Sequence, residues 1–391
     1  PQFNNLKFTD GCGNDIVFTA SSSLYCFQGT GKNGPDMHDP LDPSFDDNYL
    51  TWDFIKQLYD LNYGVYNHSL STDASTDPKF MDYSINRNRS FVRRKMYSHN
   101  LGRNVTTAFV CPNQLSEWAN PAFSNGYRAV MNKDDGGPIG LTGGDVNGSF
   151  NWSESQQIKR REAHRVVPVL EYVDELYNQS KDGSNYWGTL FTHLITDTDV
   201  GEHYPQSVFN SDFATIASVY GKGSLDNILL ATAEEVYDYL NLRDAVSLAE
   251  DLNGNTLEVT FSGSVPSDLR YYAMSLLVES DVAISSIVVE GSGGFTKNLN
   301  TGLVIFKWDD QIVPDPQTLA ETYVADAELS GDQWDAWIAM DYVYTIPLGP
   351  EKIALVERLC NLPDLDYEEN FCDITIDTVV KIFGDSVICL G

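Results

Sequence analysis

Three side chains suited to holding a metal ion or moving a proton stand where short apolar stretches break into turns. They are Asp10 in Lys7-Phe8-Thr9-Asp10-Gly11-Cys12-Gly13-Asn14-Asp15, His68 in Val65-Tyr66-Asn67-His68-Ser69, and His193 in the apolar stretch 186–195. The glycines after Asp10 sustain neither strand nor helix, so the reading is a strand end that delivers an acid to a loop. Sites in α/β proteins are assembled at the carboxyl ends of strands, which makes each of the three a candidate on position. An ordinary Asp-Gly turn and structural histidines are the plainer alternatives.

The elements that must position these groups can be read in outline. Residues 16–26 read as a strand that follows the opening one, and residues 28–48, rich in Gly, Pro and Asp and carrying His38, as a long loop. Trp52, Ile55, Leu58 and Tyr59 fall on one helical face over 51–61, and Val65-Tyr66 then begins a strand ending at Asn67-His68-Ser69. That strand, helix, strand order would bring Asp10 and His68 to one rim. Further on, the pattern predicts a basic-faced helix at 90–98, a strand at 106–110 running into Cys111-Pro112-Asn113, and a strand at 126–131. It also predicts a long helix over 153–177 kinked at Pro168, helices at 209–219 and 232–242, and a strand-like piece at 226–231 between those two. Thr232 and Glu235 form a capping box for the last helix.

The order and the motifs resemble the polysaccharide deacetylase family, the NodB-homology carbohydrate esterases. Lys7-Phe8-Thr9-Asp10-Gly11 is similar to that family's Thr-Phe-Asp-Asp-Gly strand end, and Asn67-His68-Ser69-Leu70-Ser71-Thr72 to its Asn-His-Ser/Thr-x-x-His segment. The resemblance covers roughly residues 2–243. It implies an α/β fold, a distorted (β/α) barrel over residues 1–247, and a divalent metal (zinc, cobalt or nickel) with Asp10 and His68 as ligands. It further implies groove residues at Cys111, Pro112 and Asn113, and His193 as the group that protonates the leaving amine. Thr9 stands where the family has its catalytic-base Asp, and Thr72 where it has its second metal histidine. Asp15, Asp73 and His99 are the nearest substitutes by sequence.

The 391 residues carry 56 acidic against 25 basic side chains, a formal charge of -31, which repels any polyanion and makes nucleic acid an unlooked-for partner. No apolar run approaches the length of a membrane helix. The start at Pro1, almost on the first strand, suggests a processed N terminus, so the want of a leader says little about location. Six cysteines are too sparse for a disulfide scaffold, and Cys360 with Cys372 is the pair expected to bridge. The sequons at Asn104 and Asn151 indicate glycosylation only if the source glycosylates.

From residue 255 the texture changes: Leu257, Val259 and Phe261 alternate with polar residues, and similar runs follow at 271–278, 284–290 and 302–308. These predict a mainly-β, sandwich-like accessory domain over 255–391, joined by a linker at 248–255, with helices at 334–344 and 351–359 and a strand pair at 374–388. The leading functional expectation is a secreted, periplasmic or cell-surface metal-dependent hydrolase that deacetylates an acetylated polysaccharide or oligosaccharide. The alternative is a catalytically silent barrel that binds glycan through the same groove. A scaffold or adhesion protein is the third reading.

Overall fold

In the computed structural model the described residues are 6–25, 52–70, 75–96, 108–112, 115–133, 139–140, 156–163, 168–181, 186–193, 195, 197, 204–265, 269–308, 315–365 and 371–373. His38, Thr72, Asp73, His99, Asn104, Asn113, Asn151 and the strand pair expected at 374–388 lie outside them. The chain folds as a mixed α/β protein built on a parallel sheet. Six strands lie in this sheet: β3 (Ser21–Leu24), β4 (Gly64–Asn67), β5 (Ala108–Val110), β6 (Ala129–Lys133), β8 (Gln156–Glu162) and β10 (Leu190–Phe191). Each pairs in parallel with the one before it in this list, so spatial order follows chain order without reversal.

Helices supply the crossovers that parallel strands require. They are α1 (Trp52–Asp60) before β4, α2 (Pro78–Lys95) before β5, α3 (Ala119–Ser124) before β6 and α4 (Val169–Ser180) before β10. Helices α5 (Gln206–Tyr220) and α6 (Ala233–Ala245) follow the sheet. The capping box of α6 is present, with Thr232 Oγ1 accepting from the Glu235 N–H at 3.1 Å. A two-stranded ribbon of β7 (Ile139–Gly140) and β9 (Tyr186–Trp187) accompanies the sheet.

Alternation along the strands separates two packing faces. Phe109 and Val130 face α2 and α3, where they pack with Met81, Ile85, Trp118 and Tyr127. Tyr66, Ala108, Val110, Ala129, Met131 and Ile158 pack on the other face with Trp187 and with Tyr237 of α6.

Two sequence expectations change here. The single helix foreseen over 153–177 is strand β8 followed by α4. Ile158, with Arg160 and Glu162 in step after it, has period 2, and Pro168 is the residue before the helix, held extended at ψ 152. A proline at that position starts a helix rather than kinking one. The strand expected over 16–26 is two. Lys7–Thr9 (β1) and Asp15–Val17 (β2) form an antiparallel hairpin, and only after residues 18–20 does β3 enter the parallel sheet.

C-terminal to α6, the stretch expected as a linker is strand β11 (Val246–Asn253), paired through a Gly254-Asn255 turn with β12 (Thr256–Gly263). Gly254 has φ +60, which suits a two-residue hairpin loop. A three-stranded sheet of β13 (Ala273–Leu277), β14 (Ser292–Asn298) and β15 (Leu303–Trp308) follows, in the order β13-β15-β14. Residues 284–290 form no strand: Val288 is 77% exposed and has no sheet to cover. Beyond it, α7 (Pro316–Ser330), α8 (Gln333–Thr345) and α9 (Pro350–Cys360) share their own core around Trp337, Met340, Val343 and Leu359. Among its described residues, the region expected to be mainly β therefore has more helix than strand. The bridge Cys360–Cys372 is formed as expected. Among the described residues no helix is long and apolar enough to cross a membrane.

Arg270 joins the two parts of the chain. Its guanidinium donates to the carbonyls of Tyr59 (2.7 Å) and Tyr63 (2.9 Å) and to Glu234 Oε2 (3.1 Å), and lies 3.7 Å over the Tyr59 ring. Buried Asp238 of α6 accepts from the N–H groups of Arg270 and Tyr271. The Glu234 side chain is 6% exposed, so removing its guanidinium partner leaves a desolvated charge. Arg270→Met is expected to cost about 3–5 kcal/mol, read as a lowered urea midpoint.

Candidate functional site

The carboxyl ends of the parallel strands bring together His68, Arg160, Glu162 and His193. Buried Asn67 ends β4, and its carboxamide fixes the chain there. It donates to the Ile85 carbonyl (2.8 Å) and the Tyr127 hydroxyl, and accepts from the N–H of Ser69 (2.8 Å) and from Asn88 Nδ2 (2.7 Å). Asn88 also donates to the Leu24 carbonyl at 2.8 Å, which ties β3 into the same network. Ser69, at φ 66, takes a left-handed conformation that its hydrogen bond to Asn67 holds.

His68 is next in the chain to Asn67, so it falls on the opposite face, in step with Tyr66. Its Nδ1 lies 2.9 Å from the Val110 carbonyl, and its ring meets that of Tyr25 edge-on at 5.8 Å. A carbonyl only accepts, so Nδ1 carries the hydrogen and Nε2 is the free acceptor of the neutral ring. Burial, reinforced by the Arg160 charge, lowers the His68 pKa to about 4. The imidazole is neutral at physiological pH.

Strand β8 supplies the two residues that the helical reading of 153–177 concealed. Arg160 and Glu162 follow Ile158 on one face, while Arg161 points to the other and pairs with Glu175 of α4 at 2.6 Å. Strand β10 adds Phe191 and, two residues on, His193. The Arg160 guanidinium sits 4.1 Å over the Phe191 ring, and His193 Nδ1 lies 2.8 Å from Glu162 Oε1. A carboxylate at that distance takes the Nδ1 hydrogen and leaves Nε2 of the neutral ring as the acceptor, the arrangement of an oriented acid-base histidine. Burial brings the Arg160 pKa down to about 10 against the opposing pull of Cys111 and Glu162.

Cys111 and Pro112 follow β5 and are both buried; the Cys111 N–H donates to the Met131 carbonyl at 3.0 Å. Burial pushes the Cys111 thiol up to about 12, so it is not a thiolate at neutral pH. Cys111 packs with Phe109 and Trp118 on the face toward α2 and α3.

Asp10 is placed elsewhere. It lies in the β1–β2 turn, where Oδ1 accepts from the N–H groups of Cys12 (2.9 Å) and Asn14 (2.8 Å) and Oδ2 from Asn14 Nδ2 (2.8 Å). The hairpin precedes the amino end of β3, whereas Tyr25 follows its carboxyl end, and among the described residues Asp10 and His68 share no partner. The turn instead docks on the C-terminal sheet. Asn298 Nδ2 donates to the Gly11 carbonyl (2.8 Å), Asn14 Nδ2 to Thr296 Oγ1 (3.0 Å), and a Cβ at Gly11 would collide with Leu303. Asp15, considered as a substitute ligand, is ion-paired with Lys7 and Lys222, and the hydrogen bond to Lys222 chiefly lowers its pKa.

For a divalent ion, His68 fits as one ligand: an imidazole whose Nδ1–H is held by a carbonyl is oriented as metal-binding histidines are. Asp10 does not fit beside it, because its carboxylate is held by the turn. Among the described residues no group of three or more His, Cys, Asp or Glu side chains is gathered as a metal site. The chain matches no protein-family model and no curated protein.

Two outcomes are expected. Asn67→Ala removes four hydrogen bonds of about 1 kcal/mol each, so chemical denaturation should show a loss of ~3–4 kcal/mol. In metal-free protein His68 binds its proton near pH 4, whereas in the unfolded chain it does so near the usual imidazole value. Between these values the unfolded state holds more protons. Stability is therefore complete above about pH 6.5 and falls by up to ~3 kcal/mol as the pH drops to about 4. Denaturation curves of His68→Gln across that range should lack this component.

Proposed function

We propose that the strand-end rim is the active site of a carbohydrate deacetylase-like hydrolase that acts on N- or O-acetyl groups of a polysaccharide or oligosaccharide. The observation that carries the reading is the Glu162-held His193 on the same sheet face as His68, at the carboxyl ends of strands that follow one another in chain order. Sites of this kind of sheet are built there. A distorted (β/α) barrel is supported by that unreversed order, and by the Thr19 N–H donating to the Leu230 carbonyl at 3.0 Å beside the amino end of β3, an edge strand. The Cys360–Cys372 bridge supports an oxidising, extracytoplasmic setting.

Glu162 holds the Nδ1–H of His193 and sets its tautomer. Proton transfer then takes place at Nε2, which accepts a proton from the attacking water and returns it to the leaving nitrogen or oxygen. His68, neutral because burial and Arg160 disfavour its cation, would hold a zinc, cobalt or nickel ion through Nε2. Such an ion, when bound, supplies Lewis-acid polarisation of the acetyl carbonyl. The face around them is apolar at its base, with Met131 and Ile158 buried, which keeps water from the far side of the reacting group.

Glycan binding without hydrolysis is the second reading. It is favoured by the Asp10 carboxylate, whose turn hydrogen bonds keep it from the rim.

The test measures acetate release from acetylated oligosaccharides by untagged protein, metal-free and loaded with zinc, cobalt or nickel. His193→Gln should lower kcat by about 10²–10⁴-fold. Glu162→Gln should lower it less and shift the pH–rate profile, because the ring loses its orienting anion. If His193→Gln leaves acetate release unchanged, the proton-transfer role is wrong. If no metal elicits release while chelated protein still binds oligosaccharide, the silent-barrel reading replaces the enzyme.

A further inference from the structure

Arg160 is only 5% exposed, and its Nε has no hydrogen-bond partner. Among the described residues no hydrogen bond or ion pair reaches the guanidinium. Its contact is the Phe191 ring, 4.1 Å below, and its nearest acid in the chain, Glu162, gives its Oε1 to His193 instead. A buried guanidinium with an unused donor is costly, since the Nε N–H loses water and gains no hydrogen-bond acceptor in exchange. In a chain with 25 basic and 56 acidic residues, partners for an arginine are plentiful. Among the described residues no carboxylate is hydrogen-bonded to this one, the pattern that a ligand site requires and a purely structural arginine avoids.

Exposure rises along the same face toward solvent. Ile158 is fully buried and Arg160 is 5% exposed, while the side chains of Glu162 and His193 are 11% and 67% exposed. The guanidinium therefore lies one step below the proposed proton-transfer pair, with an aromatic ring against it. A planar fork so held matches the two oxygens of a carboxylate. The protein's net charge of -31 repels anions at long range, so an anion that binds must be held locally by a group of this kind.

We infer that Arg160 is a carboxylate-binding subsite of the rim, which receives either the carboxylate of an acidic sugar beside the acetylated residue or the acetate that deacetylation releases. This inference deepens the deacetylase reading, yet its binding test needs no turnover.

The experiment uses the full chain, stripped of metal, titrated calorimetrically with sodium acetate, sodium glucuronate and, as a neutral control, glucose. Wild type, Arg160→Met and His193→Gln are compared, and the thermal midpoint of each is recorded without ligand. Wild type should bind at least one of the two carboxylates, and Arg160→Met should bind it at least tenfold more weakly, with any response to glucose unchanged. The Arg160→Met protein should also unfold at a higher temperature than wild type, because a buried charge whose Nε lacks a hydrogen-bond partner has been replaced by an apolar chain of similar length. His193→Gln should keep carboxylate binding. Acetate binding without glucuronate assigns the subsite to the released acyl group. Glucuronate binding assigns it to an acidic glycan.

Absence of binding by wild type, equal binding by Arg160→Met, or a lowered midpoint with unchanged affinity would each overturn the inference. If Arg160-dependent carboxylate binding appears and no acetylated oligosaccharide is ever hydrolysed, the subsite stands and the hydrolase reading falls.

Discussion

The buried carboxamide of Asn67 is the interaction on which the rim depends. An amide has two donor hydrogens and one oxygen with two lone pairs, and here all four are used, by Ile85, Tyr127, Ser69 and Asn88. Those partners belong to α2, to the segment leading into β6 and to the chain just beyond β4, so a single side chain holds three parts of the fold in one relation. Inside a protein such a network is strong only while it is complete, because each unpaired member bears its full desolvation cost. Completeness is what lets the next residue, His68, be placed on the opposite face with little freedom. The left-handed turn at Ser69 then takes the chain away from the rim and leaves the imidazole at the strand end.

The two faces of the same strands carry opposite burdens. Toward α2 and α3 the sheet packs Phe109, Val130 and Trp118, with Asn67 satisfied among them. Toward the other side, apolar residues fill the base and polar ones begin abruptly at the carboxyl ends: His68 after Tyr66, Arg160 after Ile158, His193 after Phe191. Each step is two residues, the pleat repeat, so the change from core to site happens within one repeat on three strands. The rim is thus continuous with the core, and its side chains inherit the rigidity of strands. This also accounts for its electrostatics. A cation kept at 5% exposure with no ion pair among the described residues, next to an imidazole kept neutral, departs from the satisfied pattern of the opposite face, and such departures concentrate where a protein gives up stability for a site.

How far the amino-acid sequence disclosed this arrangement depended on whether local signals were unambiguous. Helix α1, the Thr232 cap of α6, β4 with His68 at its end, β5 and the Cys360–Cys372 bridge were readable, because each has a cap, a period or a spacing with one interpretation. Strand β8 was not. Ile158 and the apolar residues after Pro168 happen to fall at helical spacing, and its alternation runs through Arg160 and Glu162, which a hydrophobic pattern does not register. Misreading one strand concealed half of the rim. Asp10 shows the reverse error: Lys-Phe-Thr-Asp-Gly is compatible with a parallel strand end, but Gly11, Gly13 and Asn14 are equally the residues of a tight antiparallel turn. No local feature distinguishes the two, since the difference lies in what docks against the turn, namely Thr296, Asn298 and Leu303, nearly three hundred residues away.

That docking gives the N-terminal hairpin and Arg270 a common logic. Arg270 grips the carbonyls of Tyr59 and Tyr63, which precede β4, and the hairpin enters the sheet ahead of β3. Both joints to the C-terminal part therefore lie toward the amino ends of the parallel strands. Helix α6 shares this role: it sends Tyr237 into the base of the sheet face and Leu242 into the core of the β13-β15-β14 sheet. In parallel α/β architectures, residues at the amino ends serve stability and those at the carboxyl ends serve chemistry. The inter-part contacts follow that division, with desolvated hydrogen bonds and ion pairs at one end and an accessible histidine, backed by an arginine that forms no ion pair among the described residues, at the other.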